Sequence, residues 1–202
     1  MWAVLILPAY LLGTFPSADV VARASGVDIT TAGSGNPGAS NVTRVLGWRK
    51  GVLVFALDAA KGAIATLVGL WAGGWDGGPA DPRVAGYALG AAAILGHVFP
   101  VTRRFRGGKG VATGGGVMAV LHPAAVAALA VVWLLVSRLT GRASVASIAC
   151  IALFPIGLAI TGAPAWEFGA TVALAALVLA RHAGNVARLL RGGEPSLTRQ
   201  TP

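Results

Sequence analysis

The sequence predicts an all-α integral membrane protein with seven helical segments, an external N-terminus and a cytoplasmic C-terminus. Of its 202 residues, 55% are hydrophobic and only 11% are charged, whereas about a quarter of the residues in a soluble domain are charged. The mean hydropathy is +0.74, and the apolar residues gather into stretches of membrane-spanning length. We therefore expect one polytopic membrane domain over residues 1–202, with its cations placed mainly between the spans.

Six apolar stretches are long enough to cross a hydrocarbon core of about 30 Å. They are Met1–Ala22, Gly51–Gly74, Val84–Thr102, Val111–Ser137, Ala143–Gly162 and Ala165–Ala180. The fourth contains His122 and Pro123 near its middle, and proline removes a backbone donor and disfavours helix in the residue before it. We interpret this stretch as a helical hairpin, which makes seven segments, and its short first arm fits either a thin span or a re-entrant loop.

The distribution of lysine and arginine favours the hairpin, because these residues accumulate on the cytoplasmic side of membranes. With a hairpin and an external N-terminus, 14 of the 16 cations lie inside, Arg83 alone lies outside and Lys61 lies within a span. A straight fourth helix would leave 8 cations inside and 7 outside. The predicted outer loops then carry the acidic residues Asp76, Asp81 and Glu167.

The net charge of +9 raises nucleic acid as a partner, but the composition excludes it. So few charges, spread through so much apolar sequence, cannot form a continuous basic face. We interpret Arg49, Lys50, Arg103, Arg138 and Arg142 as cations that contact lipid headgroups on the inner face.

Residues 33–44 form the most polar segment, which reads Gly-Ser-Gly-Asn-Pro-Gly-Ala-Ser-Asn-Val-Thr-Arg. Glycine and proline break helices, glycine lets the backbone approach a ligand closely, and free N–H groups followed by an arginine suit an anion such as phosphate. We therefore expect a phosphate-binding loop here.

A second glycine-rich segment runs from Gly107 to Thr113 and contains Lys109. Placed at a helix start, it offers free N–H groups, the positive end of the helix dipole and an ammonium group, which together suit an anion. It is not a Walker A loop, because Gly110 stands where serine or threonine follows the lysine in that motif. On the predicted topology this segment lies on the same face as residues 33–44. Tight packing of a loop at the membrane surface is the alternative to phosphate binding for this segment.

The tail after the last span carries Arg181, His182, Asn185 and Arg188. On a continuous helix Arg181, Asn185 and Arg188 would follow the i, i+4, i+7 spacing and face one way, which predicts a ligand-binding or proton-handling role beside His182. His97, at the end of the third span, fits either a structural hydrogen bond or this site.

Two charged residues, Asp58 and Lys61, lie one helical turn apart inside the second span. Isolated charges in hydrocarbon are costly, so we expect a compensating pair that supports the inner loops. Glu194 is expected to cap the tail or to pair with an inner arginine. The histidines and the single Cys150 show no metal-ligand spacing, and Ser34 lacks the Gly-x-Ser-x-Gly elbow of serine hydrolases.

Four motifs, taken in order and spacing, resemble the bacterial membrane acyl-phosphate:glycerol-3-phosphate acyltransferases of the PlsY type. They lie at residues 33–44, 96–100, 107–113 and 181–194, and the resemblance runs from about Leu12 to Pro195. The departures are small: Ser40 and Thr43 stand where the family commonly has threonine and leucine, and Ala183 and Gly193 also differ.

The resemblance implies seven helices in a bacterial cytoplasmic membrane, no cofactor and no metal. It implies transfer of a fatty acyl group from acyl phosphate to the 1-hydroxyl of glycerol 3-phosphate, beside membrane lipid and on the cytoplasmic face. The implied catalytic residues are Ser34, Arg44, Lys109, His182 and Asn185. The implied substrate-binding residues are Gly33, Gly35, Asn36, Ser40, Asn41, His97, Gly107, Gly108, Gly110, Thr113 and Arg188.

A phosphate or sugar-phosphate transporter is the alternative function, since it too would use cationic glycine loops. A transporter, however, is expected to place its polar ligands near the bilayer midplane on broken helices related by a repeat. The polar segments of this sequence are predicted to lie at one surface instead.

Overall fold

The computed structural model describes residues 2–75 and 77–197 of the chain. Three earlier expectations fall outside this part: the start of the first span at Met1, the outer-loop Asp76, and Arg199, one of the 14 cations predicted to lie inside. The described residues form helices and no strands. The α-helices are α1 (Ile6–Gly13), α2 (Ser17–Arg23), α3 (Ala39–Leu46), α4 (Trp48–Gly73), α5 (Pro82–Val98), α6 (Val111–Leu121), α7 (Pro123–Thr140), α8 (Ala143–Ile160), α9 (Ala165–Ala180) and α10 (Ala183–Leu190).

The all-α membrane fold is confirmed, and each of the seven predicted segments has a counterpart. Five segments are long and apolar enough to cross a membrane: Trp2–Arg23, Trp48–Gly73, Pro82–Arg103, Pro123–Thr140 and Ala143–Ile160. Helices α9 and α10 pass the same test together, with a bend of 52° between them. The eleven-residue α6 is shorter. The sidedness of the termini stays a prediction.

The first span is broken rather than continuous. Helix α1 ends at Gly13 and α2 begins at Ser17, because Pro16 cannot donate a backbone hydrogen bond to a continuing helix. The carbonyl of Phe15, freed by the break, accepts a hydrogen bond from the Lys61 ammonium at 3.1 Å. The break therefore exposes a backbone group to a charged residue of α4.

The chain divides into two compact units, Met1–Pro123 and Ala124–Pro202. The expectation of a single domain over residues 1–202 stays a prediction. The first unit contains α1 to α6 and both glycine-rich segments. The second contains nearly all of α7 and all of α8 to α10, with the tail.

Small residues bring the helices of the first unit into close contact. A Cβ added to Gly13 would lie 2.2 Å from the carbonyl oxygen of Ala93, and one added to Gly96 would lie 2.0 Å from that of Tyr10. Such near-contact between backbones is typical of packed membrane helices. Helix α1 thus lies directly against α5, and the Tyr10 hydroxyl reaches past the end of α5 to donate to the Phe99 carbonyl at 2.7 Å.

The break at His122 and Pro123 divides α6 from α7, as the sequence predicts. Gly86 faces Leu121 and Gly90 faces Val117, so α6 runs antiparallel to α5. Arg83, near the start of α5, donates to the carbonyl of Leu121 at 3.2 and 3.3 Å. This guanidinium satisfies a carbonyl that the helix end leaves without an intrahelical donor.

The second unit is joined by side-chain hydrogen bonds between neighbouring helices. The Trp133 indole of α7 donates to Ser147 of α8 at 3.1 Å, and the Cys150 thiol donates to the Leu129 carbonyl at 3.3 Å. The tail folds back over the α7–α8 turn, where Leu197 donates its N–H to the carbonyl of Gly141 at 2.7 Å.

Candidate functional site

The first glycine-rich segment is shaped by Asn41, whose side chain is buried. The amide Nδ2 of Asn41 donates to the carbonyls of Ile29 (3.3 Å) and Ala32 (3.0 Å), and Oδ1 accepts the N–H of Ser34 at 2.9 Å. Gly33 has a φ of +59°, which favours glycine. Asn41 was expected to bind substrate, but its surroundings are those of a residue that folds the loop.

Half of residues 33–44 is helical, which corrects the expectation of a loop throughout. Helix α3 begins at Ala39 and carries Ser40, Asn41 and Arg44. The Gly-Asn-Pro-Gly sequence stops before Ala39, and the residues after it permit a helix. Ser34 is exposed at the open side of the loop, whereas Asn36, Ser40 and Arg44 are half-buried.

The second glycine-rich segment folds back onto the end of α5. The N–H groups of Gly107 and Gly108 donate to the carbonyls of Val98 and His97, both at 3.1 Å. Gly110 then takes a φ of +90° and caps α6, so that Lys109 stands at the N-terminus of that helix. The first-turn N–H groups of a helix have no intrahelical acceptors. Together with the half-buried Lys109 they form an anion-binding arrangement.

Thr113 was expected to help bind substrate, but the structure buries it completely. A Cβ added to Gly62 would lie 2.1 Å from the Thr113 carbonyl oxygen. Thr113 thus lies at the close contact between α4 and α6, which suits a packing role.

Gly107 and Gly108 of the second glycine-rich segment line a small pocket. Its polar lining comes from the charged or titratable residues Asp58, Lys61, His97 and Arg103, while Pro37 brings the first glycine-rich segment to the same pocket. The expected pair is confirmed, with Lys61 Nζ 2.9 Å from Asp58 Oδ1. The structure adds His97, whose Nδ1 lies 3.6 Å from that oxygen.

In the second unit, His182 is buried at the junction of α9 and α10. Its Nδ1 lies 2.8 Å from the carbonyl oxygen of Val178, and because a carbonyl only accepts, Nδ1 carries the proton. In the neutral ring Nε2 is then the acceptor nitrogen. This is the form in which a histidine can accept the proton of a substrate hydroxyl.

The tail residues Asn185 and Arg188 converge on Glu194. Asn185 Nδ2 donates to Glu194 Oε1 at 2.6 Å and Arg188 Nε to Oε2 at 2.9 Å, which confirms the expected pairing of Glu194 with an arginine. Burial alone would raise the pKa of Glu194, but the neighbouring Ser144 hydroxyl and the hydrogen bonds from Asn185 and Arg188 outweigh it and lower the pKa below its usual range. The carboxylate is therefore ionised at neutral pH.

The expected i, i+4, i+7 alignment of Arg181, Asn185 and Arg188 does not form on one helix. Arg181 follows the last residue of α9, and α10 begins only at Ala183 after the 52° bend. Arg188 was expected to bind substrate, yet its guanidinium is committed in part to Glu194.

Three of the cations expected to contact headgroups also contact protein groups. Arg103 forms an ion pair with Asp19 at 3.0 Å, the Lys50 ammonium donates to the Ser25 hydroxyl, and Arg142 donates to the Glu194 carbonyl at 3.5 Å. The Arg103–Asp19 pair joins the turn after α5 to α2. Because 84 residues separate its partners in the chain, no local pattern could reveal it.

Known proteins resemble the chain over nearly its whole length. The sequence model of the glycerol-3-phosphate acyltransferase family matches residues 3–192. A glycerol-3-phosphate acyltransferase of Aquifex aeolicus (strain VF5) is 40% identical over 190 residues, which cover 94% of this chain and 96% of the relative.

Two crystal structures of PlsY (YgiH), an integral membrane glycerol 3-phosphate acyltransferase, share this fold. One is the glycerol 3-phosphate form, with a TM-score of 0.88, and the other is the lysophosphatidic acid form, with a TM-score of 0.86. Both are 38% identical to this chain and cover 96% of it and 94% of their own chain.

Proposed function

The chain belongs to the glycerol-3-phosphate acyltransferase family, and on that premise we propose that it transfers a fatty acyl group from acyl phosphate to the 1-hydroxyl of glycerol 3-phosphate. The protein is a multi-pass bacterial membrane acyltransferase. The observation that carries the substrate assignment is the folded glycine loop that sets Lys109 at the start of α6. The relatives of this chain are acyltransferases, so the transporter alternative is set aside.

The proposed reaction joins a soluble phosphate ester to a lipid-borne one. The acceptor hydroxyl oxygen attacks the acyl carbonyl carbon, the bond from that carbon to the phosphate oxygen breaks, and an ester forms. The products are lysophosphatidic acid and inorganic phosphate, and in the overall balance the hydroxyl proton ends on the phosphate. Because phosphate is a good leaving group, the protein needs chiefly to position the reactants and stabilise negative charge.

Arg44 and Lys109 are proposed to bind phosphate oxygens, with help from N–H groups of the glycine-rich segments. Both side chains are half-buried cations in the first unit, where a charge-assisted hydrogen bond is stronger than at an exposed site. Ser34, at the open side of the loop whose shape Asn41 fixes, supplies a hydroxyl to the same anion. In the first segment this assignment uses the loop that the Asn41 side chain holds. In the second it uses the turn that hydrogen-bonds to the end of α5.

His182 and Asn185 are proposed to orient the glycerol 3-phosphate. Val178 holds the His182 ring so that Nε2 is the acceptor nitrogen, which suits a hydrogen bond from the attacking hydroxyl. Glu194 accepts a hydrogen bond from the Asn185 amide nitrogen. The amide oxygen of Asn185 is then proposed to accept a hydrogen bond from a second substrate hydroxyl. We propose that the reaction takes place on the cytoplasmic face of the bacterial inner membrane. The proposed site residues lie in segments rich in lysine and arginine, and these residues accumulate on the cytoplasmic side.

The direct test supplies purified protein with labelled glycerol 3-phosphate and either acyl phosphate or acyl-CoA. We expect lysophosphatidic acid with acyl phosphate only. Product with acyl-CoA alone would overturn the proposed donor, and no product with either donor would overturn the proposed function.

The residue roles are tested by Lys109→Ala and His182→Ala in the same assay. Removing one preorganised charge-stabilising group typically costs about 100-fold to 1,000-fold in kcat, and we expect losses in kcat/KM of that order. Arg106→Ala is the matched control, because Arg106 is exposed on the same turn as Lys109. Near-normal kcat and KM in either test variant would contradict its role.

A further inference from the structure

Three ionisable residues form a buried cluster, Asp58, Lys61 and His97, that the proposed reaction does not use. Their side chains are 3%, 4% and 8% exposed. Lys61 Nζ lies 2.9 Å from Asp58 Oδ1, and His97 Nδ1 lies 3.6 Å from the same carboxylate oxygen. The cluster thus connects two residues of α4 to the end of α5.

The cluster also contacts the segment that carries Lys109. The His97 carbonyl accepts the N–H of Gly108 at 3.1 Å. A Cβ added to Gly108 would lie only 2.2 Å from His97 Nε2, so the ring packs directly against the glycine backbone. One ring nitrogen therefore faces Asp58 and the other faces the glycine loop.

On its other side the cluster contacts the broken first span. Lys61 donates to the Phe15 carbonyl at 3.1 Å, between α1 and α2. The turn that leads from α5 to the loop is held from the same direction, since the Tyr10 hydroxyl donates to Phe99 and accepts the N–H of Val101. The first span, α4, the end of α5 and the second glycine-rich segment consequently all meet at this cluster.

Charge compensation alone does not account for this cluster. Burying an ion pair costs desolvation that the attraction between the charges barely repays, and apolar residues of similar size are often as stable or more stable. An apolar pair in α4 would satisfy helix packing, yet it would leave the Phe15 carbonyl with only the Ser17 N–H as donor and would remove the carboxylate beside the His97 ring. The charged groups add two directional contacts: Lys61 to the Phe15 carbonyl, and Asp58 to the His97 ring.

We propose that Asp58, Lys61 and His97 are positioning residues that hold the Gly107–Gly110 backbone in the conformation that presents Lys109 to a phosphate. All three are assigned a role through that backbone rather than through direct contact with substrate, and His97 moves from the expected substrate-binding set to this supporting set. The inference rests on the proposed function, because its effect is read through binding of the phosphate substrates.

The first experiment measures kinetics of Asp58→Asn and Lys61→Met in the full-length purified protein. Misplacing a catalytic group by about 1 Å can cost about 100-fold, and we expect each variant to lose tenfold to 100-fold of kcat/KM, chiefly through KM. Each substitution is then combined with Lys109→Met. If the cluster acts through Lys109, the double variant falls within about twofold of Lys109→Met alone.

Independent, multiplying losses in the double variants would overturn the proposal, as would wild-type kcat/KM in the single variants. A purely structural role would lower the melting temperature and would still multiply with Lys109→Met. If the wild type itself forms no lysophosphatidic acid, the proposed function fails and this inference fails with it. An active wild type with multiplying losses refutes the cluster's role alone.

The second experiment does not depend on removing a buried charge. Gly108→Ala should lower kcat/KM because its Cβ meets the His97 ring, whereas Gly115→Ala, with nothing within 4 Å of the added Cβ, should leave it unchanged. His97→Asn shortens the side chain and makes room, so the pair His97→Asn with Gly108→Ala should be no less active than His97→Asn alone. Additional loss in the pair would contradict direct packing of the ring on the loop.

Discussion

At the scale of single residues, one buried amide determines the shape of the first glycine-rich segment. Asn41 makes three hydrogen bonds to backbone groups at Ile29, Ala32 and Ser34. The segment has no regular structure of its own before α3, so these bonds replace the backbone pairing that a helix would supply. An asparagine can serve here because it offers donors and an acceptor on one short side chain.

Asn41→Asp keeps the shape of the side chain but removes both donors. The Ile29 and Ala32 carbonyls would then face a carboxylate, and a buried polar group without its partner costs about 1–3 kcal/mol. We expect a lower melting temperature and a higher KM for glycerol 3-phosphate. Thr31→Ala, at an exposed position that leads into the same loop, is the control, and equal effects in the two variants would argue against a special role for Asn41.

The ionised Glu194 stabilises the folded tail, and its lowered pKa gives this contribution a defined pH dependence. Because the folded pKa lies below the unfolded one, the stabilisation is fully present above the unfolded value of about 4.3. It is lost as the pH falls through the folded pKa.

Melting curves of the wild type and Glu194→Gln should therefore differ most at neutral pH and converge in acid. The difference should hardly change between pH 6 and pH 8, where the carboxylate is ionised in both the folded and the unfolded chain. A gap that persists unchanged to pH 3 would show that the charge of Glu194 is not what stabilises the tail.

At the scale of elements, the short helix α6 depends on close packing at its glycines for stability. It has eleven residues, and isolated helices this short are marginal in water. A Cβ added to Gly116 would lie 1.9 Å from the Ala59 carbonyl oxygen, whereas one added to Gly115 would meet nothing within 4 Å. Adjacent glycines of one helix thus have opposite roles.

Gly116→Ala should lower the melting temperature markedly, because α4 and α6 must separate to admit the new methyl group. Overpacking of this kind typically costs about 1–3 kcal/mol. Gly115→Ala should be neutral or slightly stabilising, since alanine favours helix. Thermal unfolding of the two variants in one detergent checks the contrast, which would be refuted by equal melting temperatures.

The sequence predicts elements best where a single strong force determines them. Hydropathy defined the spans, and Pro123 marked the break between α6 and α7. The sequence-based prediction was wrong at α3. The helix breakers in Gly-Asn-Pro-Gly led us to expect a loop where a helix begins at Ala39. The bend at Arg181 was also missed, because no proline or glycine stands at the break and the hydrogen bond of His182 to the Val178 carbonyl that holds it leaves no sequence pattern.

For the candidate site, the sequence identified the polar segments but not which residues support which. Asp58 and Lys61 were predictable as a pair because they are one turn apart on one helix. His97 as their third member, and Arg103 with Asp19, depend on contacts between distant segments, which leave no local pattern. Likewise, nothing local distinguished the loop-folding Asn41 from a ligand-binding residue.

At the scale of the whole molecule, the sidedness of the loops is the prediction with the widest consequences. The positive-inside distribution puts residue 24 in the cytoplasm and residue 80 outside, and both positions hold exposed alanines. In a Cys150→Ser background, Ala80→Cys in spheroplasts should react with a membrane-impermeant maleimide, and Ala24→Cys should react only after lysis. The reverse labelling pattern would invert the topology.

The length of α4 has a consequence for where a bound phosphate would lie. The helix begins at Trp48, while Asp58, which contacts the His97 ring against the glycine loop, lies ten residues further along. At 1.5 Å per residue this is about 15 Å along the helix axis. On the proposed function, a phosphate beside Lys109 would therefore lie nearly three helical turns past the start of α4 rather than at the end of that helix.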